Sequence, residues 1–272
     1  MTGFDARWLE PDWPAPARVR AVITTRAGGV SKGPWGVPPL GEGGLNLGLL
    51  SGDAPEAVRE NRARLRSALP AEPRWLKQVH GATVVCADGV TAPVPADASH
   101  TSTPGVVVAV MVADCLPVLL AAADGRCVGV AHAGWRGLAA GVIQATAGAM
   151  RDALGDPEAE LIAYLGPAIG PSHFEVGPEV LQAMARDLPR ATEAFVPRDE
   201  KYMADLFALG RQALHEVGVN RVFGGQDCTF SDPARYYSFR RDGVTGRHAA
   251  LVWIDPRGDL SDDAHQIGGN SV

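Results

Sequence analysis

Cysteine is scarce in this 272-residue chain, which has four cysteines and no CxxC pair. Such sparse cysteines do not form the disulfide framework of a small secreted domain, so we expect the chain to fold without disulfides in a reducing cytoplasm. The chain also lacks the GxxxxGK[ST] phosphate loop, the HExxH zinc motif and the GxSxG elbow. The common ATP-binding, metalloprotease and α/β-hydrolase signatures are therefore absent.

The chain also has fewer basic than acidic residues: it contains 25 lysines and arginines and 31 aspartates and glutamates, which gives a net charge of −6. This balance argues against a long nucleic-acid footprint. The first twenty residues contain no apolar run of the kind found in signal peptides. The most apolar stretch, 105–123, is divided by Asp114 and Pro117 into two strand-length runs. We therefore expect a cytoplasmic protein with neither a nucleic-acid partner nor a membrane segment.

Hydrophobic patterning predicts one α+β domain over residues 1–254, followed by a polar tail over 255–272. Predicted strands come in clusters and helices are interspersed irregularly, which favours α+β over a regular βαβ repeat. The predicted strands are 18–25, 75–80, 83–86, 105–113, 116–122, 127–133, 161–165, 219–223, 236–239 and 248–254. The predicted helices are 53–69, which Asp53 and Glu56 would open as a capping box, 137–154, 178–188 and 203–217, and a Gly- and Pro-rich loop covers 26–44.

Three short motifs put His80, Cys115 and His132 at predicted strand ends beside small residues. The motifs are QVHG, ADCLP and AHAGWRG. Two imidazoles and a thiolate suit Zn²⁺, and three protein ligands leave a fourth position for water or substrate. The residue types alone leave two alternatives open. The histidines can be hydrogen-bonded core residues with Cys115 as a small apolar side chain, or Cys115 can be a thiolate nucleophile with His132 as its base.

Acidic and basic residues near these motifs add further candidates. Asp97 and Asp114 lie next to apolar strands, where either can orient a histidine or act as a general base; a turn-capping role is the alternative for Asp97. Several arginines in glycine-flanked or turn contexts can cradle a phosphate or carboxylate, although each taken singly also fits an ordinary surface arginine. They are Arg26, Arg136, Arg240 and Arg241.

These motifs, together with YLGPAIGPSHFEVG and YYSFRRDGVTGRHAALVWI, resemble the YfiH or laccase-domain family, also called the multicopper polyphenol oxidase family. The resemblance runs from TTRAGGVS and LNLG through ENRARL to RRDGVTGR, and thus covers the chain to about residue 254. It implies a single α+β domain with a central mixed β-sandwich flanked by helices. It also implies a metal site whose ligands are His80, Cys115 and His132. In this chain the loop 31–44 is longer and richer in Gly and Pro than the family's usual link.

The resemblance further implies zinc-dependent chemistry on purine nucleosides: phosphorolysis of adenosine, inosine, guanosine and methylthioadenosine, with adenosine deamination as a companion activity. The expected partners are therefore purine nucleosides and phosphate. Asp97 joins the three metal ligands as a catalytic candidate. The candidates for substrate binding are Arg26, Asn46 of the LNLG motif, Asp114, Arg136 and Arg241.

Copper-dependent phenol oxidation is an older label for the same family, and imidazole and thiolate accept Cu²⁺ as well as Zn²⁺. Blue-copper oxidases also need a separate multi-histidine cluster, whereas the seven histidines here are scattered with no HxH pair. A zinc site that lowers the pKa of bound water fits hydrolytic deamination directly. Zinc is therefore the predicted cofactor. The alternatives are a copper-dependent polyphenol oxidase (laccase), a metal-free Cys115–His132 amide hydrolase acting on cell-wall precursors, and a non-enzymatic metal- or partner-binding protein.

Overall fold

Two β-sheets packed face to face form the centre of the molecule in a computed structural model that describes residues 4–257. Within that range the strands are β1 (Val19–Ile23), β2 (Ala27–Ser31), β3 (Val84–Cys86), β4 (Ala98–Thr101), β5 (Val108–Val112), β6 (Leu116–Ala122), β7 (Val128–Ala133), β8 (Leu161–Leu165), β9 (Glu175–Val176), β10 (Phe195–Arg198), β11 (Lys201–Ala204), β12 (Arg221–Gly224) and β13 (His248–Ile254). The helices in the same range are α1 (Pro55–Ser67), α2 (Trp135–Ala139), α3 (Val142–Leu154), α4 (Pro178–Met184), α5 (Leu206–Glu216) and α6 (Phe239–Asp242).

The larger sheet has the strand order β12-β8-β6-β7-β4-β3, and the smaller has the order β1-β13-β5. All seven residues of β6 are buried, as expected for a central strand covered on both faces. Apolar side chains of the two sheets form one core between them. Helices α3 and α5 pack on the outer face of the larger sheet, and α1 packs outside the smaller one. The four layers confirm the predicted α+β domain with a central sandwich flanked by helices.

Strand register gathers the ends of several strands at one corner of the sandwich. In the smaller sheet His248 of β13 lies opposite Val112 of β5, and the chain then crosses into the larger sheet to begin β6 at Leu116. In the larger sheet Pro117 lies opposite His132 of β7. The crossing at 113–115 and the end of β7 are therefore adjacent, which puts the ADCLP and AHAGWRG motifs together.

Several predicted elements differ from the structure. The segment 75–80 is not a strand: it is extended chain, and isolated bridges at Arg74 and Lys77 pair it with its neighbours. The predicted helix 137–154 is two helices, because Gly141 adopts a φ of +82° between them. The predicted strand 236–239 is also wrong, since Phe239 begins α6. Asp53 does not cap α1; its carboxylate accepts hydrogen bonds from Ser31 and Asn46 instead.

The loop predicted over 26–44 contains β2 and a short 3-10 helix, Gly33–Trp35. The indole of Trp35 donates a hydrogen bond to the Ser51 carbonyl at 3.2 Å. Most of the predicted polar tail, residues 258–272, lies outside the described range. Among residues 4–257, no helix combines the length and the apolarity needed to cross a bilayer.

Candidate active site

His80, Cys115 and His132 converge at the corner where β5, β6 and β7 meet. Their possible ligand atoms all lie within 4.8 Å of one another. The two imidazole rings are 4.8 Å apart between centroids and tilted by 72°. His132 is buried, Cys115 is half-buried and His80 is exposed. The structure thus brings the three predicted ligands together at a point open to solvent on the His80 side.

Two of the loops that form this corner contain a residue with a strained backbone conformation. His80 has a φ of +61° and Asp114 a φ of +88°, a region that residues with a Cβ rarely adopt. Such conformations persist where surrounding contacts impose them, and they are common at functional sites. At His80 the contacts come from Asp97, whose carboxylate accepts hydrogen bonds from the backbone N–H groups of residues 79, 80 and 81 at 3.1, 2.9 and 2.8 Å.

Asp97 also contacts His132. Oδ1 of this fully buried carboxylate lies 2.8 Å from Nδ1 of His132. If Nδ1 carries the proton shared with Asp97, Nε2 is the ring nitrogen left for a metal ion or a proton. Burial raises the pKa of Asp97, but the hydrogen bonds from His132 and the backbone outweigh it and the pKa is lowered. Asp97 therefore holds both histidines, one through its ring and the other through its backbone.

The two imidazoles favour the ionised form of Cys115. Burial alone raises the pKa of this thiol, whereas the charge and hydrogen bonds of His132 and His80 lower it further than burial raises it. For His132, burial lowers the pKa, and the neighbouring Cys115 and Asp97 raise it above its usual value. Thiolate is the form of cysteine that binds metals and acts as a nucleophile.

Gly134 makes the close packing of these ligands possible. A Cβ at this position would lie 2.8 Å from Sγ of Cys115 and 3.3 Å from Cδ2 of His80. Any larger residue would therefore displace the thiol. The glycine of the AHAGWRG motif is required by space, since its φ of −62° is open to other residues.

The donor set fits a metal ion. Two imidazole nitrogens and one thiolate match the ligands preferred by Zn²⁺ and also bind Cu²⁺. Three protein ligands leave at least one coordination position of a zinc ion open to water or substrate, as in catalytic zinc sites. Asp97 supplies the carboxylate that commonly orients a metal-binding histidine through its other nitrogen.

Asp114 and Asn46 use their side chains to hold neighbouring segments. Asp114 accepts a hydrogen bond from the Thr229 hydroxyl at 2.6 Å and another from the backbone N–H of Arg240 at 2.7 Å. Asn46 is fully buried and accepts hydrogen bonds from the backbone N–H groups of Gly48 and Arg247 at 3.0 and 2.9 Å. Both residues thus shape the loops around the three candidate metal ligands.

The predicted arginines differ in how many of their donors the protein uses. Arg241 donates five hydrogen bonds, to three backbone carbonyls and to both oxygens of Asp242. Arg26 is buried and donates to the carbonyls of Gly36, Pro34 and Pro233 and to Asp242. These two guanidinium groups therefore join loops around Asp242.

The two remaining arginine candidates lie at the surface. Arg136 is exposed, and its guanidinium covers the ring of Trp135 at 4.3 Å from the centroid. Arg240 is also exposed; it donates to the Glu175 carbonyl at 2.7 Å and lies over the ring of Phe174. Neither guanidinium pairs with a carboxylate among residues 4–257.

Arg247 lies at the same corner and was missed by the sequence reasoning. It directly precedes β13, whose first residue pairs with Val112 at the end of β5. The charges of Cys115 and Asp114 act on its guanidinium. Arg247 lies in the motif RRDGVTGR, immediately before a predicted strand. Many arginines occur in such positions, so this position alone does not indicate a functional residue.

Comparisons with known proteins agree with the motifs. A family model described as multi-copper polyphenol oxidoreductase laccase matches residues 20–255. A protein of Pseudomonas aeruginosa named purine nucleoside phosphorylase is 53% identical over 249 residues, which are 91% of this chain and 98% of that protein. The Escherichia coli K12 protein named purine nucleoside phosphorylase YfiH is 47% identical over 252 residues, 92% of this chain and 99% of that one.

Solved structures show the same fold. A Neisseria meningitidis protein superposes with a TM-score of 0.84 at 46% identity, covering 92% of this chain and 99% of that one. YlmD from Geobacillus stearothermophilus superposes with a TM-score of 0.81 at 32% identity, covering 93% and 98%. With its motifs, its fold and a family match over most of its length, this chain belongs to the multi-copper polyphenol oxidoreductase laccase family, which includes proteins named YfiH.

Proposed function

We propose that this protein is a zinc-dependent purine nucleoside phosphorylase that acts on adenosine, inosine, guanosine and methylthioadenosine and also deaminates adenosine. The observation that carries the proposal is the convergence of His80, Cys115 and His132, whose ligand atoms lie within 4.8 Å of one another. It is supported by 53% identity over nearly the full chain to a protein named purine nucleoside phosphorylase. The proposed substrates are therefore purine nucleosides and phosphate.

His80, Cys115 and His132 would hold the zinc ion. Zinc bound there would act as a Lewis acid toward a water molecule or a substrate atom. His132 is buried and His80 is exposed, so a substrate would reach the ion from the His80 side. Asp97 acts as a positioning residue in this proposal, because its oxygens already accept four hydrogen bonds from residues 79–81 and His132.

The test combines metal analysis of the purified protein with chromatography of adenosine and inosine incubated with and without phosphate. We expect about one zinc per chain, phosphate-dependent release of free purine, and formation of inosine from adenosine. Chelation should abolish both activities and zinc should restore them. Zinc-loaded protein that turns over no nucleoside would overturn the proposal.

Cys115→Ala tests the metal site itself, and Cys86→Ala is the matched control, because Cys86 is an exposed free cysteine at the end of β3. We expect Cys115→Ala to lose zinc and activity while its circular dichroism spectrum stays that of the folded protein. Cys86→Ala should keep both zinc and activity. A fully active, metal-free Cys115→Ala protein would refute the assignment.

One geometric observation favours a second candidate function, an amide hydrolase acting on cell-wall precursors. Cys115 lies beside His132, and Oδ1 of Asp97 is 2.8 Å from Nδ1 of that ring, so a thiol, an imidazole and a carboxylate lie together as in a catalytic triad. This candidate predicts amide hydrolysis that survives complete removal of metal.

Oxygen uptake with phenols by copper-loaded protein would instead favour the polyphenol oxidase.

A further inference from the structure

Phosphorolysis needs a cationic group for phosphate near the metal ligands, and few arginines at this corner have donors left. Arg241 donates five hydrogen bonds within the protein, and Arg26 donates four. A guanidinium has five N–H donors, so Arg241 is saturated and Arg26 nearly so. Two oxygens of a phosphate are best bound by a pair of parallel donors on one edge of a guanidinium.

Arg247 is fixed at this corner by its backbone. Its N–H donates to Oδ1 of Asn46 at 2.9 Å, and its carbonyl accepts from Leu47 at 3.0 Å. It directly precedes His248, which pairs with Val112, the last residue of β5 before the turn that carries Asp114 and Cys115. Its side chain runs over Gly48, where an added Cβ would come within 2.8 Å of Cγ of Arg247.

The guanidinium of Arg247 is anchored on one side and has donors left on the other. Its Nη1 donates to the carbonyls of Thr245 and Gly246 at 3.2 and 2.8 Å. Among the described residues, Nε and Nη2 donate to no protein group. Burial lowers the pKa of this guanidinium and the negative charges of Cys115 and Asp114 raise it, while the group remains charged at neutral pH. The Nε–Nη2 edge is therefore a cationic pair of donors that no described protein group occupies, on a side chain near enough to Cys115 and Asp114 to interact with their charges.

We propose that Arg247 binds the phosphate co-substrate through its Nε–Nη2 edge. This assignment rests on the proposed function. In the reaction, a phosphate oxygen forms a bond to C1′ of the ribose while the bond from C1′ to the purine nitrogen breaks. The purine leaves with the electron pair and takes up a proton, and the second product is ribose 1-phosphate. Arg247 holds the attacking anion and is not needed for deamination, in which water is the nucleophile.

The two activities provide an internal control for Arg247→Gln. For inosine phosphorolysis we expect the KM for phosphate to rise about tenfold or more, as for loss of a charged hydrogen-bonding partner. The rate of adenosine deamination without phosphate should change far less than the KM for phosphate. Arg247→Lys keeps the charge but not the fork, so its KM for phosphate should lie between those of the wild type and Arg247→Gln. Arg126→Gln is the matched control, because Arg126 is exposed in the β6–β7 turn and, within residues 4–257, its guanidinium pairs only with Asp124.

A binding measurement separates this proposal from the proposed function. Phosphate should raise the Tm of the zinc-loaded wild type and leave that of Arg247→Gln unchanged, whether or not nucleosides are turned over. A wild-type phosphate KM and Tm response in Arg247→Gln would overturn the assignment, as would finding that effect in Arg136→Gln instead. If Arg247→Gln does not fold, the same comparison with Arg247→Lys decides. Absence of nucleoside turnover by the wild type, with the phosphate effect intact, would remove only the proposed function.

Discussion

Asp97 and His132 are joined twice, once through side chains and once through backbone. Nδ1 of His132 lies 2.8 Å from Oδ1 of Asp97, and the backbone N–H of His132 donates to the Asp97 carbonyl at 2.7 Å. Both residues are buried. The same carboxylate holds the backbone of residues 79–81, so one side chain sets the positions of two of the three candidate metal ligands.

Asp97→Asn should therefore weaken zinc binding without removing a ligand. An amide offers one acceptor oxygen in place of two, and its NH₂ group would face donors. We expect the zinc affinity to fall about 10- to 100-fold, the usual effect of losing the partner of a metal-binding histidine. Competition with a chromophoric chelator measures it, with Asp124→Asn as the exposed control. Unchanged affinity in Asp97→Asn would mean that the carboxylate does not orient the ligands.

The sequence predicted the central strands well because their signal is local. The runs at 116–122, 161–165 and 248–254 are apolar and rich in Val, Ile and Leu, and their predicted bounds match β6, β8 and β13. It failed where tertiary contacts replace a local signal. The segment 75–80 has the composition of a strand, but the side chain of Gln78 bonds to both backbone groups of Met111 in place of a strand ladder.

The same distinction between local sequence patterns and tertiary contacts applies to the candidate site. The three candidate metal ligands, which the structure brings together, could be predicted from short motifs because each lies beside glycines or at a strand end. The roles of the other residues could not, because they depend on which segments the fold brings together. Arg26 and Arg241 meet at Asp242 across more than 200 residues of chain, and Arg247 reaches the corner only through the pairing of β13 with β5.

Gly134→Ala should disturb the metal ligands while leaving the fold stable. Its backbone angles suit alanine, but the new methyl would meet Sγ of Cys115 at 2.8 Å. A displacement of this kind can lower kcat about 100-fold. The measurements are zinc content, kcat and Tm. Gly148→Ala in α3 is the control, since no atom of the described part of the chain lies within 4 Å of its added Cβ. We expect it to raise the free energy of unfolding by about 0.5–1 kcal/mol. Wild-type activity in Gly134→Ala would contradict the tight packing described.

His248 should make stability depend on pH. It is fully buried, neither ring nitrogen has a hydrogen-bond partner within the described residues, and burial with repulsion from Arg247 lowers its pKa to about 3. In the unfolded chain this histidine has a pKa of about 6.5 and becomes protonated below it, whereas in the folded chain it stays neutral down to about pH 3. The free energy of unfolding therefore falls as the pH drops from about 6.5 toward 3.

Between pH 7.5 and 4.5 we expect this histidine to account for a loss of about 2.7 kcal/mol. Urea unfolding at the two pH values measures the loss, which should be smaller by that amount in His248→Met. His215→Gln, at an exposed position in α5, should behave as the wild type. Equal pH dependence in the wild type and His248→Met would show that His248 is not kept neutral by burial.

Arg241→Lys should destabilise the fold. The guanidinium joins the carbonyls of residues 229, 230 and 236 to the Asp242 carboxylate, and a single ammonium cannot reproduce these five donors. We expect the free energy of unfolding to fall by about 1–3 kcal/mol, since three partly buried carbonyls lose a hydrogen-bond donor. The neighbouring Arg240→Lys is the control, because Arg240 is exposed and donates one side-chain hydrogen bond. If Arg241→Lys is as stable as the wild type but has a higher KM for phosphate, Arg241 binds substrate. If Arg241→Lys loses stability at an unchanged KM, Arg241 holds the loops around Asp242.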